Sequence, residues 1–291
     1  MSAPRRLRAG LCAVTLQDLP EDSSGPRGEL IEQLHRVREA GIEALQSHRP
    51  NVLELAQRAG LQATGLARVD KPEHARAVAR RGRELGCDCT TLHVGSGFES
   101  DDEARALIEA IVEASDAEGH PLYVETHRAT LTQDMKRTLD LVAWVPEVRF
   151  NGDFSQWYTG LEMSYGDLED KFMRLAPVLE RVRFLHARVS SPGCIQIPVD
   201  GEARAPHVEV FERFWTHSFL GYLADPGADE TIGVYPELLP AAFHYARLVP
   251  GPDGKLREET DRWQQALRLI DLARRWWERA VAASSGRAAG A

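Results

Sequence analysis

Eight short runs rich in apolar and β-branched residues alternate with longer stretches of helical spacing from one end of the chain to the other. The runs fall at 11–17, 42–47, 62–69 and 90–94, then at 122–127, 148–153, 182–189 and 231–237. Between them, stripes such as Leu30, Leu34, Val37 and Ala40, or Ala104, Leu107, Ile108 and Ile111, follow the period of one helix face. Segments 132–145, 167–179 and 258–283 read the same way, the last with Trp263, Leu267, Ile270 and Ala273 on one side. Gly41, Gly60, Gly86, Gly119 and Pro146 punctuate the chain just ahead of a strand. Eight β/α units in 291 residues predict an α/β fold, a single-domain (β/α)8 TIM barrel over 1–283. The segment 284–291 (SSGRAAGA) reads as a disordered tail. An open doubly wound sheet would carry G-x-G-x-x-G after its first strand. Here Gly95-Ser96-Gly97 follows the fourth run and lacks the third glycine, so no dinucleotide site is expected.

Two polar stretches, 18–28 and 190–206, interrupt the even spacing. Both follow strand C-termini, the face on which such barrels place active sites, although a solvated loop is the simpler reading of the first. Charge limits the partners. With 35 basic and 44 acidic residues the net charge is −9, which opposes binding to nucleic acid or to anionic membrane. No apolar run approaches the roughly 18 residues of a membrane span. Met1 to Arg8 lacks the apolar core of a signal peptide, so a cytoplasmic location is expected. The four cysteines, Cys12, Cys87, Cys89 and Cys194, form no C-x-x-C pair, and Cys87-Asp88-Cys89 reads as barrel packing.

The last four runs share a more specific feature. Glu125 closes Leu-Tyr-Val-Glu, Asp153 closes Val-Arg-Phe-Asn-Gly-Asp, His186 lies in Arg-Phe-Leu-His-Ala-Arg, and Glu237 closes Ile-Gly-Val-Tyr-Pro-Glu. One strand-end carboxylate is commonly a helix cap or an arginine's partner. Three of them converging with an imidazole would repel one another without a positive centre, and an ionised carboxylate among apolar strands costs several kcal/mol unpaired. A single divalent ion resolves this. The oxygen-rich set suits Mn²⁺, Mg²⁺ or Co²⁺, with Zn²⁺ admitted by the histidine. Residues two apart on a strand point the same way, so His127 joins Glu125, Asn151 joins Asp153 and Arg188 joins His186. His93 ends the fourth run, where it reaches ligand or metal. Both His93 and His127 read equally well as hydrogen-bonded supports. Trp157 is a candidate wall of the pocket, whereas Tyr158 reads as packing.

At these residues the chain resembles the xylose-isomerase-like superfamily of barrels, the sugar phosphate isomerase/epimerase type. The resemblance spans nearly the whole chain and is carried by YVETHRATLTQD (123–134), GDFSQWYTGLEM (152–163), FLHARV (184–189) with QIPVD (196–200), and VYPELLPAAFHY (234–245). It implies that Glu125, Asp153, His186 and Glu237 bind one divalent metal and that Glu125 and Glu237 also form the acid/base pair. It also implies that Arg188 and His93 touch substrate. Two departures stand out. Where the family has a histidine three residues after the strand-six Asp, this chain has Gln156, which hydrogen-bonds a hydroxyl but cannot titrate. The eighth run reads Pro-Glu-Leu-Leu-Pro where relatives often place a glycine, which changes the loop rather than the ligand.

The chemistry this implies is proton transfer beside the carbonyl of a sugar, cyclitol or related keto compound, that is, isomerisation or epimerisation of a small molecule. His127, Gln156, Arg188 and Gln196 are candidates to orient its oxygens, and Trp157 to cover an apolar sugar face. The same groups would serve a metal-dependent dehydratase or lyase of specialised metabolism, in which a β-substituent leaves instead. A non-catalytic barrel is a further alternative. A trinuclear-zinc nuclease is disfavoured by Gln156 and by the net charge. No glycine-rich phosphate loop follows the last two runs, and Trp276 and Trp277, if exposed, would admit a homodimer.

Overall fold

The computed structural model describes residues 5–289. Eight parallel strands close in sequence order into a barrel: β1 (Arg6–Cys12), β2 (Ala44–Ser47), β3 (Gln62–Val69), β4 (Thr90–Val94), β5 (Leu122–Glu125), β6 (Phe150–Gly152), β7 (Val182–Ala187) and β8 (Thr231–Pro236). Around it lie α1 (Leu30–Glu39), α2 (Pro50–Arg58), α3 (Ala75–Glu84), α4 (Asp101–Glu118), α5 (Met135–Trp144), α6 (Phe154–Gly160), α7 (Leu168–Leu179), α8 (Ala205–Ala224) and α9 (Arg262–Ala289). This is the (β/α)8 barrel that the alternation implied. Among the described residues no helix is long and apolar enough to cross a membrane.

Strand alternation divides the apolar side chains into two sets. Ala9, Leu11, Leu45, Val124 and Leu185 point outward into the main core beneath the helices. Cys12, Ala44, Cys89, Tyr123, Phe184 and Tyr235 point inward and fill the lumen. Two inward glycines make room for the rings. A side-chain carbon at Gly10 would lie 2.3 Å from the Tyr235 ring, and one at Gly233 2.7 Å from that ring and 3.0 Å from Phe184. The lumen is therefore packed, and a cleft opens at its mouth.

Several boundaries differ from the sequence reading. The first strand is Arg6–Cys12, not 11–17, and Ala13–Leu16 is a short 3-10 turn. Charged positions hid the strand: Arg6 pairs with Glu43 at 2.5 Å, and Arg8 reaches Asp88 inside the barrel. The fifth to eighth strands each stop short of the expected end, leaving His127, Asp153, Arg188 and Glu237 on the loops just beyond them. The stretch 18–28 is irregular but tethered, with Ser23 Oγ and Ser24 N donating to Asp261 at 2.7 and 2.8 Å. Between β8 and α9 the chain inserts an antiparallel pair, β9 (Leu248–Pro250) with β10 (Leu256–Glu258), that no periodicity announced. The last helix continues to Ala289, so 284–289 are helical rather than a tail, and 290–291 lie outside the described residues. Trp276 and Trp277 are buried, against Trp215 and against Phe219 and Tyr222 respectively, and offer no exposed aromatic face for a second copy.

Candidate active site

The barrel mouth is built from strand ends that lie far apart in sequence. Glu125 ends β5, Asp153 begins α6, His186 lies within β7 and Glu237 follows β8. One donor atom from each lies within 4.8 Å of the others. Glu125, Asp153 and His186 are almost completely buried, while the Glu237 side chain keeps 13% of its exposure. The sequence-derived quartet therefore converges.

Its partners define its chemistry. Asp153 does cap a helix, accepting from Ser155 N at 3.2 Å, but its other oxygen faces the Arg188 guanidinium. Arg188 also donates to the Glu237 carboxylate at 3.0 Å, to the Glu237 carbonyl at 3.1 Å and to Ser155 Oγ at 2.9 Å. Glu125 accepts from Asn151 Nδ2 at 3.1 Å through one oxygen, and that oxygen stands 3.4 Å from both His93 Nε2 and His186 Nδ1. The second oxygen of Glu125 is buried and has no hydrogen-bond partner among the described residues. A buried carboxylate oxygen without a partner is costly, and native folds leave few.

Charge tells the same story. Of the three carboxylates, Asp153 and Glu237 face the one guanidinium and Glu125 does not, which leaves two negative charges beyond it. The remaining groups respond accordingly. Burial alone would raise the Glu125 carboxyl, but His186 and His93 hold it well below the usual carboxylate range. Burial alone would lower His186, but Glu237 and Glu125 lift its imidazole well above the ordinary value. The cluster draws positive charge from whatever can supply it.

Gln46 on β2, which the sequence reading passed over, sets the orientation of His186. Its amide nitrogen donates to Thr91 Oγ1 at 2.8 Å, so its carbonyl oxygen faces His186 Nε2 at 2.7 Å. That oxygen can only accept. In its neutral form His186 therefore carries its proton on Nε2, and its Nδ1 lone pair accepts from Asn151 Nδ2 at 3.2 Å, beside Glu125 and Glu237. The one available signal was an amide at an inward position of the buried strand Ala44–Ser47. Three carboxylates, an outward-facing Nδ1 lone pair and an orphaned carboxylate oxygen form a donor set that suits a divalent ion.

The remaining candidates separate into two groups. His93 and His127 stand at the mouth with ring centroids 4.3 Å apart, and His127 Nδ1 is 2.5 Å from the Arg128 carbonyl. Gln156 donates to Asp153 at 3.3 Å and leaves its buried amide oxygen without a partner among the described residues, so it borders the cluster. Gln196 is engaged at both ends of its amide by the backbone of Leu239, at 2.9 and 3.1 Å, and clasps the loop after β8. Trp157 does not wall the mouth. Its ring is fully buried in the helix layer and donates to the Thr132 carbonyl at 2.7 Å. Tyr158 packs beside it and meets His207 at 3.0 Å, as expected of a packing residue. Tyr245, from the loop after β8, lies under Arg188 with 4.9 Å between guanidinium and ring centre.

No family model and no curated protein matches the chain. Solved structures match it in fold. An L-ribulose 3-epimerase superposes with a TM-score of 0.56 at 12% identity, over 96% of this chain and 97% of its own. A D-psicose 3-epimerase from Clostridium cellulolyticum H10, solved with D-tagatose, gives 0.56 at 13%, over 93% and 99%. A xylose isomerase-like TIM barrel protein from Mycobacterium smegmatis, in complex with magnesium, gives 0.55 at 12%, over 95% and 100%. At such identities the likeness establishes the fold alone, a (β/α)8 barrel, and proteins named as sugar epimerases stand among its fold neighbours.

Proposed function

We propose that the chain is a divalent-metal-dependent isomerase or epimerase of a sugar, cyclitol or related keto compound. The observation that carries this reading is the buried convergence of Glu125, Asp153, His186 and Glu237, with excess negative charge and an orphaned oxygen on Glu125. Those four residues would hold the ion, with Mn²⁺, Mg²⁺ or Co²⁺ favoured by the oxygen-rich set. When bound, it would supply Lewis-acid stabilisation of the negative charge that develops on a substrate carbonyl oxygen. The fold neighbours named for sugar epimerases, and one solved with magnesium, support the reading.

The chain's own groups supply the proton transfers. Glu125 and Glu237 belong to β5 and to the loop after β8, so their carboxylates approach a ligand from different sides. One removes the carbon-bound proton next to the carbonyl. The other returns a proton to the same carbon in epimerisation or to its neighbour in isomerisation. Glu237 is the quartet member in contact with the open cleft. Asn151 fixes the Glu125 carboxylate and, through its side-chain oxygen, accepts from the His186 backbone nitrogen at 3.1 Å, so one amide aligns two site residues. Arg188 restrains Asp153 and Glu237 together. His93, His127 and Gln156 border the cluster and would orient substrate oxygens.

Metal analysis combined with a solvent-deuterium screen over keto sugars and cyclitols tests this. The expected result is about one divalent ion per chain and deuterium entering recovered substrate or an isomer. Release of water or another leaving group without wash-in would place the chain among lyases instead. Protein that takes up no stoichiometric ion after supplementation would overturn the reading.

A further inference from the structure

A cleft of about 530 Å³ opens beside the quartet, with Glu237 and Gln46 in its wall. It runs from the barrel mouth between the turn after β1, the start of α1, the first turn of α2 and the loop after β8. Its volume lies within the roughly 300–1,000 Å³ of small-molecule sites. The side chains facing it are mainly apolar: Val14, Leu16, Leu30, Val52, Leu66 and Phe243. Phe243 keeps 47% of its surface exposed at the rim.

Several polar groups of the cleft are already engaged. Gln46 holds His186 and Thr91. Gln33 donates to the Gly28 carbonyl at 2.8 Å, and Gln17 donates to Asp18 at 3.2 Å. Ser47 Oγ accepts from the Arg49 backbone at 3.1 Å. A polyol extending into this cleft would exchange water for few new hydrogen bonds and leave its hydroxyls poorly matched. An apolar group would bury surface against the six side chains and require no such exchange. Only His48 and Arg49, both exposed at the rim, offer positive charge to a phosphate.

We infer that the substrate is a keto or hydroxy compound bearing an apolar substituent, alkyl or aryl. Its reacting oxygens lie at the quartet and its substituent extends along Val14, Leu30 and Phe243. This rests on the proton-transfer reading for which end of the substrate meets Glu237, and it adds what the other end is.

The test uses the Mn²⁺-loaded full chain and three probes that differ only in the substituent: the methyl, butyl and phenyl 3-keto-β-D-glucopyranosides. Calorimetry reads affinity, and solvent-deuterium exchange is followed separately. Affinity is expected to rise at least tenfold from methyl to phenyl, with a negative heat-capacity change that marks apolar burial. Phe243→Ser and Val14→Asn, both at positions open to solvent, are expected to flatten that gradient while leaving the methyl compound's affinity within about twofold. An absence of gradient, absence of binding included, overturns the inference, as does tighter binding of D-fructose 6-phosphate than of any probe. A gradient without exchange in any probe upholds the inference and counts instead against the proton-transfer reading.

Discussion

The two ends of the barrel lumen use the same strands and the same kinds of residue to opposite effect. At the N-terminal end Arg8 reaches Asp88, which also accepts from Thr64 Oγ1 at 2.7 Å and from Cys89 N at 2.8 Å. Thr64 meets Tyr235 at 2.8 Å, Tyr123 donates to Asp229 at 2.9 Å, and Arg183 faces Asp225. Asp225 also faces Arg149 at 3.7 Å, and none of these side-chain polar atoms is buried without a partner among the described residues. Two residues further along, β5 passes from Tyr123 to Glu125, β7 from Phe184 to His186, and β8 leads from Tyr235 to Glu237. At that end Arg188 serves two carboxylates, Asp153 and Glu237, the third, Glu125, has no guanidinium, and an oxygen of Glu125 and the Nε2 of His93 make no hydrogen bond among the described residues. A buried charge is therefore not in itself a sign of function. A buried charge whose surroundings leave it incomplete is one.

If that contrast is correct, mutations at the two ends should fail in different measurements. The largest effect belongs to Glu125→Gln, which keeps the shape and removes the titratable oxygen. Turnover should fall by roughly 10² to 10⁴, the usual scale for losing a positioned proton-transfer group, with the melting temperature almost unmoved. A near-normal rate would remove Glu125 from the acid/base pair. Next comes Gln46→Leu, which deletes the acceptor that fixes the His186 tautomer. Metal affinity should weaken by about 10- to 100-fold, as for other supports of metal ligands, and Gln46→Glu, which still accepts, should retain most of it. Equal affinity in Gln46→Leu and the wild type would show that the imidazole orients without help.

The opposite signature is expected of Arg8→Met at the matched end. Removing one partner of a buried pair strands the other, and full burial would cost about 3–5 kcal/mol. Arg8 and Asp88 keep 17% and 21% of their side-chain exposure, so a loss nearer ~2 kcal/mol is expected, with turnover unchanged below the unfolding transition. Denaturant unfolding and activity measured on one preparation check both halves of that statement. Normal stability with impaired turnover in the Arg8→Met variant would erase the distinction between the two ends.

How much of this was legible in the sequence follows from how local each signal is. Strands and most helices were readable because their periodicities are local, and β3 and β4 fall where the pattern put them. The first strand was displaced because Arg6 and Arg8 find their acids just ahead of β2 and β4, at Glu43 and Asp88, which no local window contains. Glu125, Asp153, His186 and Glu237 stood out because four successive strands repeat one rule, a polar residue at the C-terminal end. Gln46 breaks no such rule and gains its role from a contact with His186, 140 residues away. Trp157 and Gln196 lie within the motifs that carry the family resemblance, yet one points from α6 to the Thr132 carbonyl in the helix layer and the other clasps backbone. Adjacency to a ligand in sequence does not establish adjacency in the mouth, because each residue of a helix turns the next side chain by about 100°.

The smallest effect tests the matched class outside the lumen. Glu118 ends α4 as a buried carboxylate held by three arginines of α3, Arg76 at 2.8 Å, Arg80 at 3.1 Å and Arg83 at 3.2 Å. Hydrogen bonds from Arg76 and Arg80, with the charges of Arg80 and Arg83, hold its carboxyl down to about 2. A carboxyl depressed in the folded state stabilises the fold above its ordinary value of 4.5, and that contribution disappears as pH falls through the folded value. Glu118→Gln should therefore melt at a lower temperature than the wild type at neutral pH. The gap should persist down to about pH 4.5 and close as pH approaches 2, while turnover stays the same wherever both proteins are folded. A melting gap that is independent of pH would assign Glu118 to packing rather than charge, and a loss of turnover would make this partnered carboxylate behave like the incomplete ones at the mouth.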